Sequence, residues 1–150
     1  MKKIPWNVIS EFEGPERSPG FLLWQVSSVW RRSIESTLKK INLTHTQFVL
    51  LANLGWLTKD NSKVTQVILS KQCKTDINMT SQVLRLLEKK GLIKRTQQAE
   101  DARSKLLKLT LKGAKVVEKA IPLVEKADKD FFKKLGSNTS EYIKMLKSLL

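Results

Sequence analysis

Residues 76–113, DINMTSQVLRLLEKKGLIKRTQQAEDARSKLLKLTLKG, decide the fold. Ile77, Val83, Leu84 and Leu87 gather along one stripe at helical spacing, and Gly91 is placed to stop the helix. The opposite face carries Asn78, Met79, Ser81, Gln82 and Arg85, side chains that can reach base edges in a major groove. A short strand, a polar tip from Thr96 to Glu100 and a second strand follow, with Arg95, Arg103 and Lys105 around the tip. Thr110 then opens a new helix. A helix with a donor-rich face followed by a basic two-stranded wing is how a winged helix-turn-helix meets duplex DNA.

Charge points the same way. With 28 Lys+Arg against 14 Asp+Glu the chain carries a formal +14, which suits a polyanionic partner. The excess is +3 over residues 1–60, +7 over 61–110 and +4 over 111–150, so half of it falls on the suspected segment. The competing explanation is a lysine-rich surface kept basic for solubility.

At 150 residues the chain has material for one domain and one core. No stretch approaches the ~20 apolar residues a membrane span needs. MKKIPWNVISEFEGPERS lacks a continuous apolar run and does not read as a secretory signal. One cysteine cannot form an internal disulfide, which fits a reducing compartment, and the expected location is cytoplasmic, on the nucleoid.

Working outward, residues 1–19 are broken by Pro5, Gly14, Pro15 and Pro19 and read as an arm, not a helix, with Trp6, Ile9 and Phe12 as sticky positions. Leu22, Val26, Val29, Trp30, Ile34, Leu38 and Ile41 recur at helical spacing over residues 20–41, a length of about 33 Å. Thr44 and Gln47 form a capping box, with Phe48, Leu51, Leu54 and Leu57 as the buried stripe of the next helix. A third helix, from Val64 to about Cys73, is expected to present Val67 and Ile68 to the core. In the tail, Val116, Val117, Ala120, Ile121, Val124, Ala127, Phe131 and Leu135 mark a helix that Pro122 should bend, and Asn138 with Glu141 predicts a second capping box. The expected class is mainly α with a small β-wing. A winged helix-turn-helix lobe spans 44–110, with the recognition helix at 77–90 and the wing at 93–109. The long helices 20–41 and 111–150 lack a core of their own and would be buried against a second copy, giving a homodimer; the alternative is that they fold back on their own domain.

These residues resemble a known family. LTHTQFVLL at 43–51, LEKKGLIKR at 87–95 and EDARSKLLKLTLKG at 100–113, in order and at these spacings, look like a MarR-type (multiple-antibiotic-resistance regulator) transcription factor from about residue 20 onward. SPGFLLWQVSSVW at 18–30 and the FF at 131–132 look like one branch of it. The wing keeps Asp101 and Arg103 of the family's D-x-R-R run but has Ser104 where a further basic residue often stands.

The resemblance implies a homodimer that sets the 77–90 helix in a major groove and the wing in the flanking minor groove. Ser81, Gln82 and Arg85 become the base-facing candidates with Asn78 at the helix start, Arg103 the minor-groove arginine and Asp101 its brace. Alternatives stand beside these: Asn78 as an N-cap, Arg85 on backbone phosphate alone, Asp101 as a turn former. The family's small aromatic or anionic effectors bind between dimer helices and DNA-binding lobe, where Trp24, Trp30, Arg31, His45 and Phe48 fall. The alternative is that these aromatic residues are simply core. Cys73 is not near the first helix, where oxidant-sensing members carry their cysteine.

No catalytic constellation, metal-ligand spacing or phosphate loop is visible, so the chain reads as a non-enzyme without cofactor or metal. The expectation is a regulator that represses from a palindromic DNA operator and is released by a small ligand. The alternative is a winged-helix module that coats DNA, or binds RNA or protein, without regulating a promoter.

Overall fold

The computed structural model describes residues 2–97 and 105–150. Its elements are α1 (Trp6–Ile9), α2 (Pro19–Lys39), α3 (His45–Thr58), α4 (Gln66–Cys73), α5 (Ile77–Lys89), β1 (Ile93–Gln97), β2 (Lys105–Leu109), α6 (Leu111–Phe132) and α7 (Thr139–Ser148). Short 3-10 segments precede α2 at Pro15–Arg17 and α7 at Lys133–Asn138.

Local chemistry sets most of the boundaries. Ser18 caps α2 by accepting from the Phe21 N–H, with Pro19 in the first turn, and Asn42 reverses the chain with a positive φ of 57°. The capping box at Thr44 forms in full: the Gln47 N–H donates to Thr44 Oγ1 at 3.2 Å and the Thr44 N–H donates to Gln47 Oε1 at 3.3 Å. Asp76 caps α5 by accepting from the N–H groups of Asn78 and Met79, both at 2.9 Å. Gly91, at φ +70°, ends it, and the Leu92 N–H reaches back to the Leu87 carbonyl.

The core is one apolar cluster drawn from almost every element. Ile34 and Leu38 of α2, Leu50, Leu51 and Leu54 of α3, Leu69 of α4, Leu84 and Leu87 of α5, Ile93 of β1 and Leu107 of β2 are buried. Val117, Ala120 and Val124 carry the cluster onto α6. β1 and β2 pair antiparallel, Ile93 opposite Leu109 and Arg95 opposite Leu107. A bridge between Thr65 and Leu106, and a bond from the Leu107 N–H to the Val64 carbonyl at 2.8 Å, tie the chain before α4 to β2. The wing is thereby fastened to the helix-turn-helix.

Several expectations need correction. The arm is not without helix, since Pro5 and Pro15 each precede or open a short turn that their fixed φ favours. Val67 and Ile68 face outward at 51% and 44% exposure, and Leu69 and Ser70 point inward. The helix begins at Gln66 behind its N-cap Thr65, and not at Val64, which is buried ahead of it. Asn138 is itself in the helical conformation and its side chain caps nothing; after the kink at Gly136, Thr139 Oγ1 donates to the Gly136 carbonyl instead. α6 continues through Pro122, and the chain changes direction at Gly136, at φ 54°.

Candidate nucleic-acid interface

α4, a left-handed Lys74 and α5 form the helix-turn-helix. Thr80, fully buried, holds the turn closed: its hydroxyl donates to the Asp76 carbonyl at 2.7 Å and lies 2.8 Å from the Thr75 hydroxyl. With Thr80, Leu84 and Leu87 facing the core, Asn78, Gln82 and Arg85 are exposed at i, i+4 and i+7, in one line along the helix. Ser81 sits half-buried at the edge of that line. The line can present an amide, a second amide and a guanidinium to successive base pairs, the groups that read adenine and guanine in a major groove.

The wing residues divide. Lys105 is exposed at the start of β2. Arg95 turns back toward α5, with its side chain 13% exposed and its Nε 3.1 Å from Glu88 Oε2. The contact is an ion pair and not an aligned hydrogen bond. Nε and Nη2 are both shut from solvent without a hydrogen-bond partner among the described residues. Arg95 therefore braces the wing against the end of α5 and stands apart from the exposed basic groups. Asp101 and Arg103 lie outside the described residues.

Two lysines went unread in the sequence. Lys94 and Lys108 are directly opposite each other across the β-ladder, and both are exposed. Like charges so placed cost stability unless an anion lies over them. Strand alternation from Ile93 and Leu107 was the signal that could have found them.

The suspected effector residues are only partly brought together. Trp30 donates its indole N–H to Asp128 Oδ1 at 2.7 Å, and His45 meets its ring edge-on at 5.0 Å, so α2, α3 and α6 meet there. Burial, and then the Arg31 guanidinium, push the His45 pKa below its usual 6.5, against the opposing pull of Glu35 and Asp128. Phe48 packs on the core. Trp24 does not join them; it is 64% exposed and stacks on Phe21. Two open grooves adjoin this meeting point: one of about 370 Å³ lined by Glu35, Lys39, Asn42, Leu43 and Thr44, and one of about 690 Å³ between α6 and α7 whose lining includes Asp128. Burial raises the Cys73 pKa, which keeps it a thiol. Among the described residues no three His, Cys, Asp or Glu side chains could hold a metal ion, and no helix is long and apolar enough to cross a membrane.

Comparison with known proteins agrees with this geometry. The model of the MarR family matches residues 43–105, which hold the helix-turn-helix and β1. An HTH-type transcriptional regulator of Bacillus subtilis, YdcH, is 46% identical over 129 residues, 86% of either chain. The crystal structure of a mutant MarR from E. coli complexed with operator DNA superposes with a TM-score of 0.79 at 25% identity, covering 94% of this chain and 99% of that one. A Mycobacterium tuberculosis MarR family protein in complex with salicylic acid superposes at 0.67 and 25% identity, over 89% of this chain and 96% of that one. With its mainly helical lobe, its two-stranded wing and α5 exposed along one polar face, the chain belongs to the MarR family of transcriptional regulators, which are DNA-binding proteins and not enzymes.

Proposed function

We propose that the protein acts as a homodimer that binds a palindromic operator sequence-specifically and represses from it. The observation that carries this reading is the exposed line Asn78, Gln82 and Arg85 on a helix whose other face is locked into the core. Nonspecific coating would need only lysine and arginine on that face, whereas amides suit base edges. The operator-bound MarR structure supports the docking mode. In this reading Ser81, Lys105, Asp101 and Arg103 complete the contact, the last three from the wing. Dimerisation is supported by Phe21, Leu22, Leu23, Trp24, Val26 and Val29, all exposed on α2, and by Ile143, Met145, Leu149 and Leu150 at the other end of the chain. A small aromatic or anionic effector would act where Trp30, His45 and Asp128 meet, with Arg31 and Phe48 beside them; the salicylic acid complex of a relative supports that chemistry.

The test separates base reading from charge. Gln82→Ala should cost about 1–3 kcal/mol on the selected site and leave random duplex unaffected, since one base-edge contact is lost. If each protomer neutralises about four phosphates, the log–log salt slope should be on the order of −7. An unchanged specific-to-random ratio for Gln82→Ala would favour nonspecific coating.

A further inference from the structure

The end of the reading helix is joined to α6 more tightly than packing requires. Three consecutive carbonyls leave α5, and each is taken by the first turn of α6 or its cap. Lys112 Nζ donates to the Lys90 carbonyl at 2.8 Å, Thr110 Oγ1 to the Gly91 carbonyl at 2.7 Å and the Thr110 N–H to the Leu92 carbonyl at 3.1 Å. The same Thr110 hydroxyl accepts from the Gly113 N–H at 3.0 Å and so caps α6. At Gly113 the two backbones all but touch: a Cβ there would lie 1.9 Å from the Leu92 oxygen. On the other side, Lys90 Nζ donates to the Asn42 carbonyl and to Gln47 Oε1, both at 3.0 Å, which ties the same point to the α2–α3 turn and the first turn of α3. Residues 90–92 are thus where the first turn of α6 and the start of α3 both grip the end of the reading helix.

We infer that this joint, built from Thr110, Lys112 and Gly113 against residues 90–92, sets the spacing of the half-sites that the protein accepts. The inference rests on the dimeric DNA reading proposed above. The residues act as positioning residues, through the angle between α5 and α6. α6 has 22 residues, a length of about 33 Å. A tilt of about 6° at one end of such a lever displaces the other by roughly 3.4 Å, one base-pair step. A twofold dimer reads two half-sites about one helical turn apart, so a small change of angle is felt as a change of preferred spacing.

The experiment begins with selection of a binding site by the full-length wild type from a randomised duplex pool of about 40 base pairs, enough for two half-sites. Derivatives of that site with one or two base pairs inserted or removed at the centre are then titrated with wild type, Gly113→Ala, Lys112→Met and Lys112→Arg. Circular dichroism confirms that each variant is folded. Wild type should prefer its own spacing by about tenfold or more. Gly113→Ala should move the preferred spacing or flatten the preference, Lys112→Met should flatten it about threefold or more, and Lys112→Arg, which can still reach the carbonyl, should restore it. If Gly113→Ala does not fold, the two Lys112 variants decide. Variants that weaken all spacings by one common factor, or keep the wild-type ratios, would overturn the inference while the DNA reading stands. A wild type that enriches no sequence would overturn the DNA reading, and the inference with it.

Discussion

Breaking the Arg95–Glu88 pair from its two ends should have unequal effects. The charges sit 3.1 Å apart, with Arg95 13% and Glu88 43% exposed. At an effective dielectric near 20, unit charges about 4 Å apart attract by about 4 kcal/mol. Fully buried pairs lose about 3–5 kcal/mol when one partner is removed, and exposed pairs are worth about 0–1 kcal/mol. Screening at the half-exposed Glu88 places this pair between those limits, so Glu88→Gln should destabilise by about 1.5–2.5 kcal/mol. Arg95→Met should cost less, under about 1 kcal/mol, because it also removes a guanidinium whose Nε and Nη2 are buried without hydrogen bonds among the described residues. Urea unfolding of the two variants and the double variant closes a double-mutant cycle with a coupling of at least about 1 kcal/mol. Coupling below about 0.5 kcal/mol, or Arg95→Met costing more than Glu88→Gln, would refute the brace. The DNA salt slope checks it independently: if Arg95 instead neutralised a phosphate, Arg95→Met would lower the slope by about one unit per protomer.

Acid should weaken the fold through His45. Its pKa is below 6.5 in the folded chain, so the unfolded chain binds more protons, and stability is lost as pH falls through 6.5 toward the depressed value. His45→Gln should remove that part of the slope, at most about 1.4 kcal/mol per pH unit, in urea titrations between pH 7 and 5; an identical slope would count against a buried imidazole. Thr44→Ala removes the hydroxyl that accepts from the Gln47 N–H and should cost about 1 kcal/mol, read from the urea midpoint at unchanged slope.

Much of the fold could be read locally. The capping box at Thr44 and the glycine stop at Gly91 each depend on residues within a turn of one another and appear as expected. On α5, Leu84 and Leu87 are buried as expected, but Ile77 is exposed and Thr80 takes its place in the core. α4 was misphased because eight residues make barely two turns, too few for apolar spacing to fix which side is buried. The Thr65–Leu106 bridge settles that phase, and it joins residues far apart in the chain. The candidate DNA face was legible for Asn78, Gln82 and Arg85, since helical period alone exposes them. Arg95 was not legible as a brace, because its partner Glu88 lies on another element and nothing in the local pattern pairs them. The family resemblance groups Trp24 with Trp30, yet the two are six residues apart on α2, a separation that points them to different sides of the helix.

The facing lysines on the wing set two equilibria against each other. Lys94 and Lys108 repel in the free protein, and a net charge of +14 spreads the same self-repulsion over the whole surface. Dissolved ions screen that repulsion and steady the uncomplexed fold, while the same ions compete for the phosphates of a bound duplex. Ionic strength thus moves the melting temperature of the free chain upward as it moves DNA affinity downward. The stabilisation that DNA confers shrinks as affinity falls, and is largest in dilute buffer, where the free protein is weakest.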